Sequence, residues 1–163
     1  MKALVIYDSF FGNTEKIAQA IGSALAAQAE VQVQRVGDVK PEQLTGLDLL
    51  VVGSPTRGFR PTPAISALLK GIPADGLRGV KVAAFDTQIR VREIRQPLAR
   101  VMLTPMAKLF GYAAKPIADG LKKKGGQEVS PPEGFVVKDT EGPLADGELE
   151  RAVAWAKGLA VPR

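Results

Sequence analysis

Three short apolar runs recur along the chain, and each leads into a turn and a helix-like pattern. The runs lie at residues 3–7, 49–53 and 80–85, and continuous apolar character of this kind is typical of parallel strands buried on both faces. Val31 and Val33 alternate with glutamines, as in a strand near a sheet edge, and residues 135–137 form a short final run. The pattern therefore predicts five strands.

Between these runs, apolar residues recur at helical spacing. The pattern predicts helices within residues 15–27, 65–72 and 149–156, each with one apolar face. A fourth helical region is expected within residues 97–125, and its expected turns are at Pro97, Pro105, Gly111 and Pro116. Strands that alternate with helices predict an α/β fold, a doubly wound five-stranded parallel sheet with helices on both faces.

Composition narrows the classes of function. The 163 residues, 45% of them hydrophobic, are expected to form a single domain over residues 1–163. The chain has no histidine and no cysteine, so it lacks the usual acid–base and nucleophilic side chains. We predict no catalytic residue and no metal site, and we expect redox chemistry to require a cofactor.

The apolar runs are too short for a membrane span, which needs roughly 18 residues. The run at residues 3–7 is also too short for the core of a signal peptide. We therefore expect a soluble, cytoplasmic protein with no membrane span.

Positive charge is concentrated in one part of the chain. Residues 81–125 hold 10 Lys and Arg against 3 Asp and Glu, whereas the whole chain has a net charge of +5. Lys122, Lys123 and Lys124 complement the negative end of a predicted helix. Arg90, Arg92, Arg95 and Arg100 have no such local explanation, and they indicate an anionic partner.

Three loops follow the carboxyl ends of predicted strands, where ligands bind in parallel sheets. We call residues 8–14 the first loop, residues 54–63 the second loop and residues 86–95 the third loop. The sequence SFFGNT in the first loop supplies hydroxyl groups and a glycine directly before a helix, which is typical of a phosphate site. On spacing alone, ordinary connecting loops remain the alternative.

The three loops resemble those of the flavodoxin family, and the resemblance extends over essentially the whole chain. SFFGNT resembles the phosphate loop around FMN, GSPTRGFRPTPAISALL resembles the second flavin loop with its helix, and FDTQIR stands in place of the third loop. Residues 141–159 are similar to the last helix of the family. The resemblance implies a short-chain flavodoxin-like fold with strand order 2-1-3-4-5 and FMN as the cofactor. The cofactor-binding residues that it implies are Ser9, Phe10, Phe11, Gly12, Asn13, Thr14, Ser54, Pro55, Thr56, Arg57, Gly58, Phe59, Asp86, Thr87, Gln88 and Arg90.

The resemblance implies an FMN-binding electron-transfer protein, with an electron carrier favoured over a stand-alone oxidoreductase. An FMN-dependent reductase of a small acceptor such as a quinone is one alternative. Because Phe11 and Arg57 stand where the family has a threonine and often an aromatic residue, a flavodoxin-fold binding module that has lost flavin is another. The basic loops imply an acidic redox partner, and nucleic acid is not expected.

Three other classes fit poorly. A phosphorelay receiver needs an acidic residue at the end of the third strand, where this chain has Gly53 and Ser54. A dinucleotide-binding domain needs a GxGxxG turn, which residues 8–14 do not supply. A serine hydrolase built on Ser9 or Ser54 would lack a histidine base.

Overall fold

Strands and helices alternate along the part of the chain that the structure, a computed structural model, describes. It describes residues 1–89, 96–110 and 112–160, with only the backbone for residues 106–110. The elements are β1 (Lys2–Tyr7), α1 (Asn13–Leu25), β2 (Glu30–Arg35), β3 (Leu49–Pro55), α2 (Pro63–Gly71), β4 (Lys81–Gln88), α3 (Pro97–Phe110), α4 (Ala114–Lys123), β5 (Gln127–Glu128), β6 (Glu133–Val136) and α5 (Glu148–Leu159). Two short 3-10 turns, Val36–Asp38 and Pro41–Leu44, connect β2 to β3.

The sheet has the order β2-β1-β3-β4-β5 with parallel pairing throughout, which confirms the predicted fold class and strand order. The fifth strand position is shared by two short strands. β5 pairs with the start of β4, and β6 pairs with its end, from Phe85 to Gln88. The sequence predicted one short strand here. Pro131 and Pro132 lie between β5 and β6, and a proline has no N–H to donate to a neighbouring strand.

The helical region after β4 also differs from the prediction. Pro105 lies inside α3 and does not end it. A proline at this position leaves the carbonyl of Val101, four residues earlier, without its N–H partner. Val101 and Pro105 are both exposed, so this carbonyl can bind water. Pro116 lies in the first turn of α4, where an N–H has no partner within the helix in any case. Pro105 and Pro116 therefore do not interrupt the helices that contain them.

The core lies on both faces of the sheet, because successive side chains of a strand point to opposite faces. On β3, Leu49 and Val51 pack with α1 and α5, whereas Leu50 and Val52 pack with α2 and α4. We call these the α1 side and the α4 side. No helix in the described residues is long and apolar enough to cross a membrane.

Candidate functional site

A cavity of about 260 Å³ lies at the carboxyl ends of β1, β3 and β4. Parallel pairing places these three strand ends at one edge of the sheet, so loops that are far apart in sequence meet there. The residues that line the cavity are Ser9, Phe10, Phe11, Asn13, Thr14, Pro55, Thr56, Arg57, Gly58, Thr87, Gln88, Ile89, Val137 and Thr140.

The first loop turns sharply into α1. Gly12 has a φ of 88°, and its N–H donates to the hydroxyl oxygen of Ser9 over 3.0 Å. Ser9 N–H in turn donates to Asp8 Oδ1 over 2.9 Å. Because the first N–H groups of a helix have no partner within it, the start of α1 at Asn13 offers donors to a ligand. A loop of this geometry binds anions, most often phosphate.

Arg35 holds the first loop from behind and was missed by the sequence reasoning. Its Nη1 donates to the carbonyl of Ser9 over 2.8 Å and lies 3.5 Å from Asp8 Oδ1. Its guanidinium carbon lies 5.5 Å from the centre of the Tyr7 ring. Arg35 stands opposite Tyr7 in the pairing of β2 with β1. The predicted strand order places the end of β2 beside the end of β1, so it could have indicated that Arg35 lies next to the first loop.

Two hydrogen bonds connect α1 to other parts of the site. The hydroxyl oxygens of Thr14 and Thr87 lie 2.7 Å apart, and either can be the donor. Asn13 Nδ2 donates to the carbonyl of Glu141 over 3.0 Å. The first contact fixes the first loop to the end of β4, and the second fixes it to the segment after β6. The floor of the cavity is thus built before any ligand binds.

The second loop contains a tight turn. The backbones of Arg57 and Arg60 exchange two hydrogen bonds of 2.9 and 3.0 Å. Between them, Gly58 and Phe59 have positive φ values of 54° and 63°, which is the pattern of a type I′ turn. Such φ values are easy for glycine and strained for phenylalanine.

Aromatic contacts surround this turn. The Arg57 guanidinium lies 4.9 Å from the centre of the Phe10 ring, so it connects the second loop to the first. The Phe59 ring packs against that of Tyr112, with 6.0 Å between centroids. Phe10 and Phe11 are about half exposed, at 55% and 48%. The mouth of the cavity therefore has aromatic rings on its rim.

Asp86 and Ser54 lie behind the cavity, and neither lines it. Ser54 Oγ accepts from the N–H of Thr62 over 3.0 Å and so supports the start of α2. Asp86 is 1% exposed, and its Oδ2 accepts from the N–H of Ala114 over 2.8 Å. Burial raises the pKa of the Asp86 carboxyl from its ordinary value of 3.8 to about 7.

The structure thus brings most of the predicted binding residues to one cavity. Gly12, Ser54, Phe59 and Asp86 do not line it, and Arg90 lies outside the described residues. The cavity also has three lining residues that were not predicted, Ile89, Val137 and Thr140. The last two follow the carboxyl end of β6. The rule that identified the other three loops would have found them if it had been applied to the last strand.

The residues present suit a flavin nucleotide. The first loop offers backbone N–H groups and the hydroxyl group of Ser9 to a phosphate, and Arg35 adds positive charge behind it. Aromatic and aliphatic side chains, among them Phe10 and Ile89, suit the face of a planar ring. The redox chemistry would come from the cofactor, because the chain has no cysteine or histidine.

Comparison of the sequence with known families supports this interpretation. Residues 5–86 match the family model of the flavodoxins, a family that binds FMN. The chain is also 35% identical over 91 residues to an NADPH-dependent diflavin oxidoreductase 1 from Emericella nidulans. That match covers 51% of this chain and 14% of the relative, so the chain spans about a seventh of the relative's length.

Solved structures share the whole architecture. A flavodoxin from the domain Archaea is 25% identical, with a TM-score of 0.73 over 98% of this chain and 96% of that one. The oxidised Flavodoxin 2 from Bacillus cereus is 24% identical, with a TM-score of 0.75 over 98% of both chains. The rubredoxin oxygen:oxidoreductase from Desulfovibrio gigas is 20% identical, with a TM-score of 0.72 over 98% of this chain and 35% of that one. The last two similarities concern the fold alone.

Proposed function

Since this chain belongs to the flavodoxin family, we propose that it is an FMN-binding protein that transfers electrons between redox partners. The observation that carries the proposal is the first loop at the start of α1, where the turn at Gly12 brings Ser9, Asn13 and Thr14 to the cavity. A terminal phosphate is the group that such a loop binds best. FMN offers one, whereas riboflavin has none.

In this proposal, each loop has a separate task. The first loop binds the phosphate, and Thr14 holds it to Thr87 on β4. The second loop presents Thr56, Arg57 and Gly58 to the ring. These residues bind and orient the flavin and exclude water from it, whereas electron transfer is the chemistry that FMN supplies when bound.

Flavin binding tests the proposal directly. We expect the purified protein to be yellow, and we expect its apoprotein to bind FMN more tightly than riboflavin or FAD in a fluorescence titration. The Thr14 hydroxyl can accept from Thr87 and donate its own O–H to the phosphate. Thr14→Val should therefore weaken FMN binding by roughly 1.5 to 3 kcal/mol and leave riboflavin binding nearly unchanged, because only FMN has the charged phosphate group. Thr45→Val, at an exposed threonine remote from the cavity, is the control. Equal affinity for FMN and riboflavin would contradict the proposal.

We also propose that the physiological partner is acidic where it docks. Phe10 and Phe11 are exposed at the cavity rim, and Arg57, Arg60 and Arg100 are exposed on nearby loops and on α3. Charge of one sign beside apolar rings suits transient docking of an oppositely charged protein. The association rate with an acidic redox protein should therefore fall with increasing salt, whereas the rate with a basic redox protein of similar size should be low at low salt and rise as salt screens the repulsion.

The two alternatives lead to different results. An FMN-dependent reductase would oxidise NAD(P)H without a partner protein, and a module that has lost flavin would be colourless after incubation with FMN and removal of the unbound flavin. We expect neither result. The single domain over residues 1–163 and the cytoplasmic location remain predictions.

A further inference from the structure

A buried carboxyl group lies directly behind the second loop. Asp86 is 1% exposed at the end of β4, and its side chain is on the α4 side, where its Oδ2 accepts from Ala114 N–H over 2.8 Å. Thr56 connects the same place to the cavity. Its hydroxyl oxygen accepts from Ala113 N–H over 3.1 Å, and the Thr56 hydroxyl group also stabilises the charged form of Asp86.

Two acceptor oxygens on this side have no donor. Among the described residues, Asp86 Oδ1 and Gln88 Oε1 are buried without a hydrogen-bond partner. They belong to residues two positions apart on β4, so their side chains share one face of the sheet. The side chains of both residues approach Gly134 on β6, which has no side chain of its own. A Cβ built there would collide with the Gln88 amide nitrogen and lie 3.2 Å from Asp86 Oδ1. Protonation of Asp86 would add an O–H donor beside these unpartnered acceptors.

Charged groups near Asp86 lie on β6, α5, α4 and the second loop. Glu133 on β6 disfavours ionisation of Asp86 because it carries the same charge. Thr56 and Ala114 lie next to Asp86. The basic residues that follow them in sequence are Arg57 on the second loop and Lys115 on α4, and both are exposed. Ser54, opposite Asp86 on β3, is neutral. Arg151 from α5 pairs with Glu133 over 2.6 Å and also donates to the carbonyl of Gly134, so it offsets part of the Glu133 charge. Among the described residues, no cation forms an ion pair with Asp86 itself.

We propose that Asp86 is a positioning residue of the flavin site, which keeps the Gln88 side chain in the cavity wall while it is protonated. This inference rests on the proposed function, because Gln88 lines the cavity that the flavin would occupy. Ionised Asp86 would be a buried charge with one unsatisfied oxygen. Entry of water or rotation of the Gln88 amide would then solvate it, and either change would disturb the cavity wall.

The inference has a reciprocal consequence for ligand binding. An anionic ligand in the cavity adds negative charge and removes water, and both effects oppose ionisation of Asp86. By linkage, FMN should therefore bind more weakly where Asp86 is ionised, and FMN should raise the pKa of Asp86. An affinity that falls about tenfold corresponds to a pKa that rises by about one unit.

Two measurements on wild type and Asp86→Asn test this coupling. The first is the FMN dissociation constant from about pH 5.5 to 9, expressed as the ratio between the two proteins. This ratio removes the titration of the FMN phosphate, which occurs near pH 6. We expect wild type to lose about tenfold in affinity relative to the variant as the pH rises through the titration of Asp86. A constant ratio would overturn the inference.

The second measurement is the 13C shift of the Asp86 carboxyl carbon, followed with pH in the apoprotein and in the FMN complex. We expect a midpoint near neutrality that moves up when FMN binds. Thr56→Val should also raise the apoprotein midpoint, because it removes a group that stabilises the charged form, whereas Asp139→Asn at an exposed site should leave it unchanged. A carboxyl group that is ionised over the whole range, or a midpoint that Thr56→Val does not move, would overturn the inference.

The apoprotein measurement also separates the two proposals. If wild type binds no FMN at any pH, the proposed function fails and the effect of FMN on Asp86 fails with it. If FMN binds but the Asp86 midpoint is indifferent to FMN and to Thr56→Val, the proposed function stands and the positioning role of Asp86 is wrong.

Discussion

Thr87 and Asp86 are neighbours at the end of β4, yet their side chains lie in opposite surroundings. On the α1 side, Thr87 is paired with Thr14 over 2.7 Å through two neutral hydroxyl groups. On the α4 side, Asp86 and Gln88 each have a buried oxygen without a partner. Neutral hydroxyl pairs do not titrate near neutral pH, whereas a buried carboxyl group does. One wall of the cavity should therefore be insensitive to pH, and the other should depend on a proton.

The largest expected effect is on the pH dependence of stability. The pKa of Asp86 is about 7 in the folded protein, against an ordinary 3.8. Protonated Asp86 contributes its full stabilisation at a pH below its pKa in the unfolded chain. That contribution is lost as the pH rises through its pKa in the folded protein. The free energy of unfolding of Asp86→Asn relative to wild type should therefore rise by on the order of 4 kcal/mol between about pH 4 and pH 8.

Urea unfolding of both apoproteins at a series of pH values measures this difference. Asp139→Asn is the matched control, because its carboxyl group is exposed. If the difference in free energy of unfolding between Asp86→Asn and wild type does not change with pH, the wall that contains Asp86 does not depend on a proton.

Thr14→Val tests the α1 side. The variant leaves the buried Thr87 hydroxyl group without its partner, which should lower the free energy of unfolding by about 1 to 3 kcal/mol at every pH. Adding Thr87→Val removes the unpaired group, so the double variant should recover part of the loss. Urea unfolding at two pH values gives both results. A loss that varies strongly with pH would contradict the assignment of this wall as neutral.

Gly58→Ala probes the turn in the second loop, on the edge of the cavity. An alanine at a φ of 54° should lower the free energy of unfolding by about 1 to 2 kcal/mol, because a Cβ is strained in this conformation. Gly71→Ala is a control without positive φ and with open space around the Cβ position. Thermal unfolding of the two variants compares them. Equal stability would mean that the turn rearranges without strain.

Arg57→Gln gives the smallest expected effect, because it removes a partly exposed contact between the two loops. The guanidinium lies 4.9 Å from the centre of the Phe10 ring, and such contacts at exposed sites contribute about 0.5 to 1 kcal/mol. A double-mutant cycle with Phe10→Leu measures the coupling between the two side chains. A coupling of zero would mean that this contact does not stabilise the arrangement of the first and second loops.

Local sequence patterns were sufficient for the sheet order and for the three loops at its edge. The apolar runs of β1, β3 and β4 gave clear signals, because these strands are buried on both faces. Shorter elements were less clear. The division of the last strand position into β5 and β6, and the continuation of α3 through Pro105, depend on pairing and exposure. Such features involve contacts that a single window of sequence does not contain.

The candidate site divides in the same way. Whether a residue lies in a loop at the end of a strand follows from local patterns, and this placed Ser9, Thr14 and Thr56 at the cavity. The direction of each side chain depends on its neighbours in space. Arg35 comes from β2 to hold the first loop, and Asp86 turns away from the cavity to Ala114, 28 residues further along the chain. Hydropathy and spacing carry the order of the elements, whereas desolvation and hydrogen-bond partners arise only when distant segments pack together.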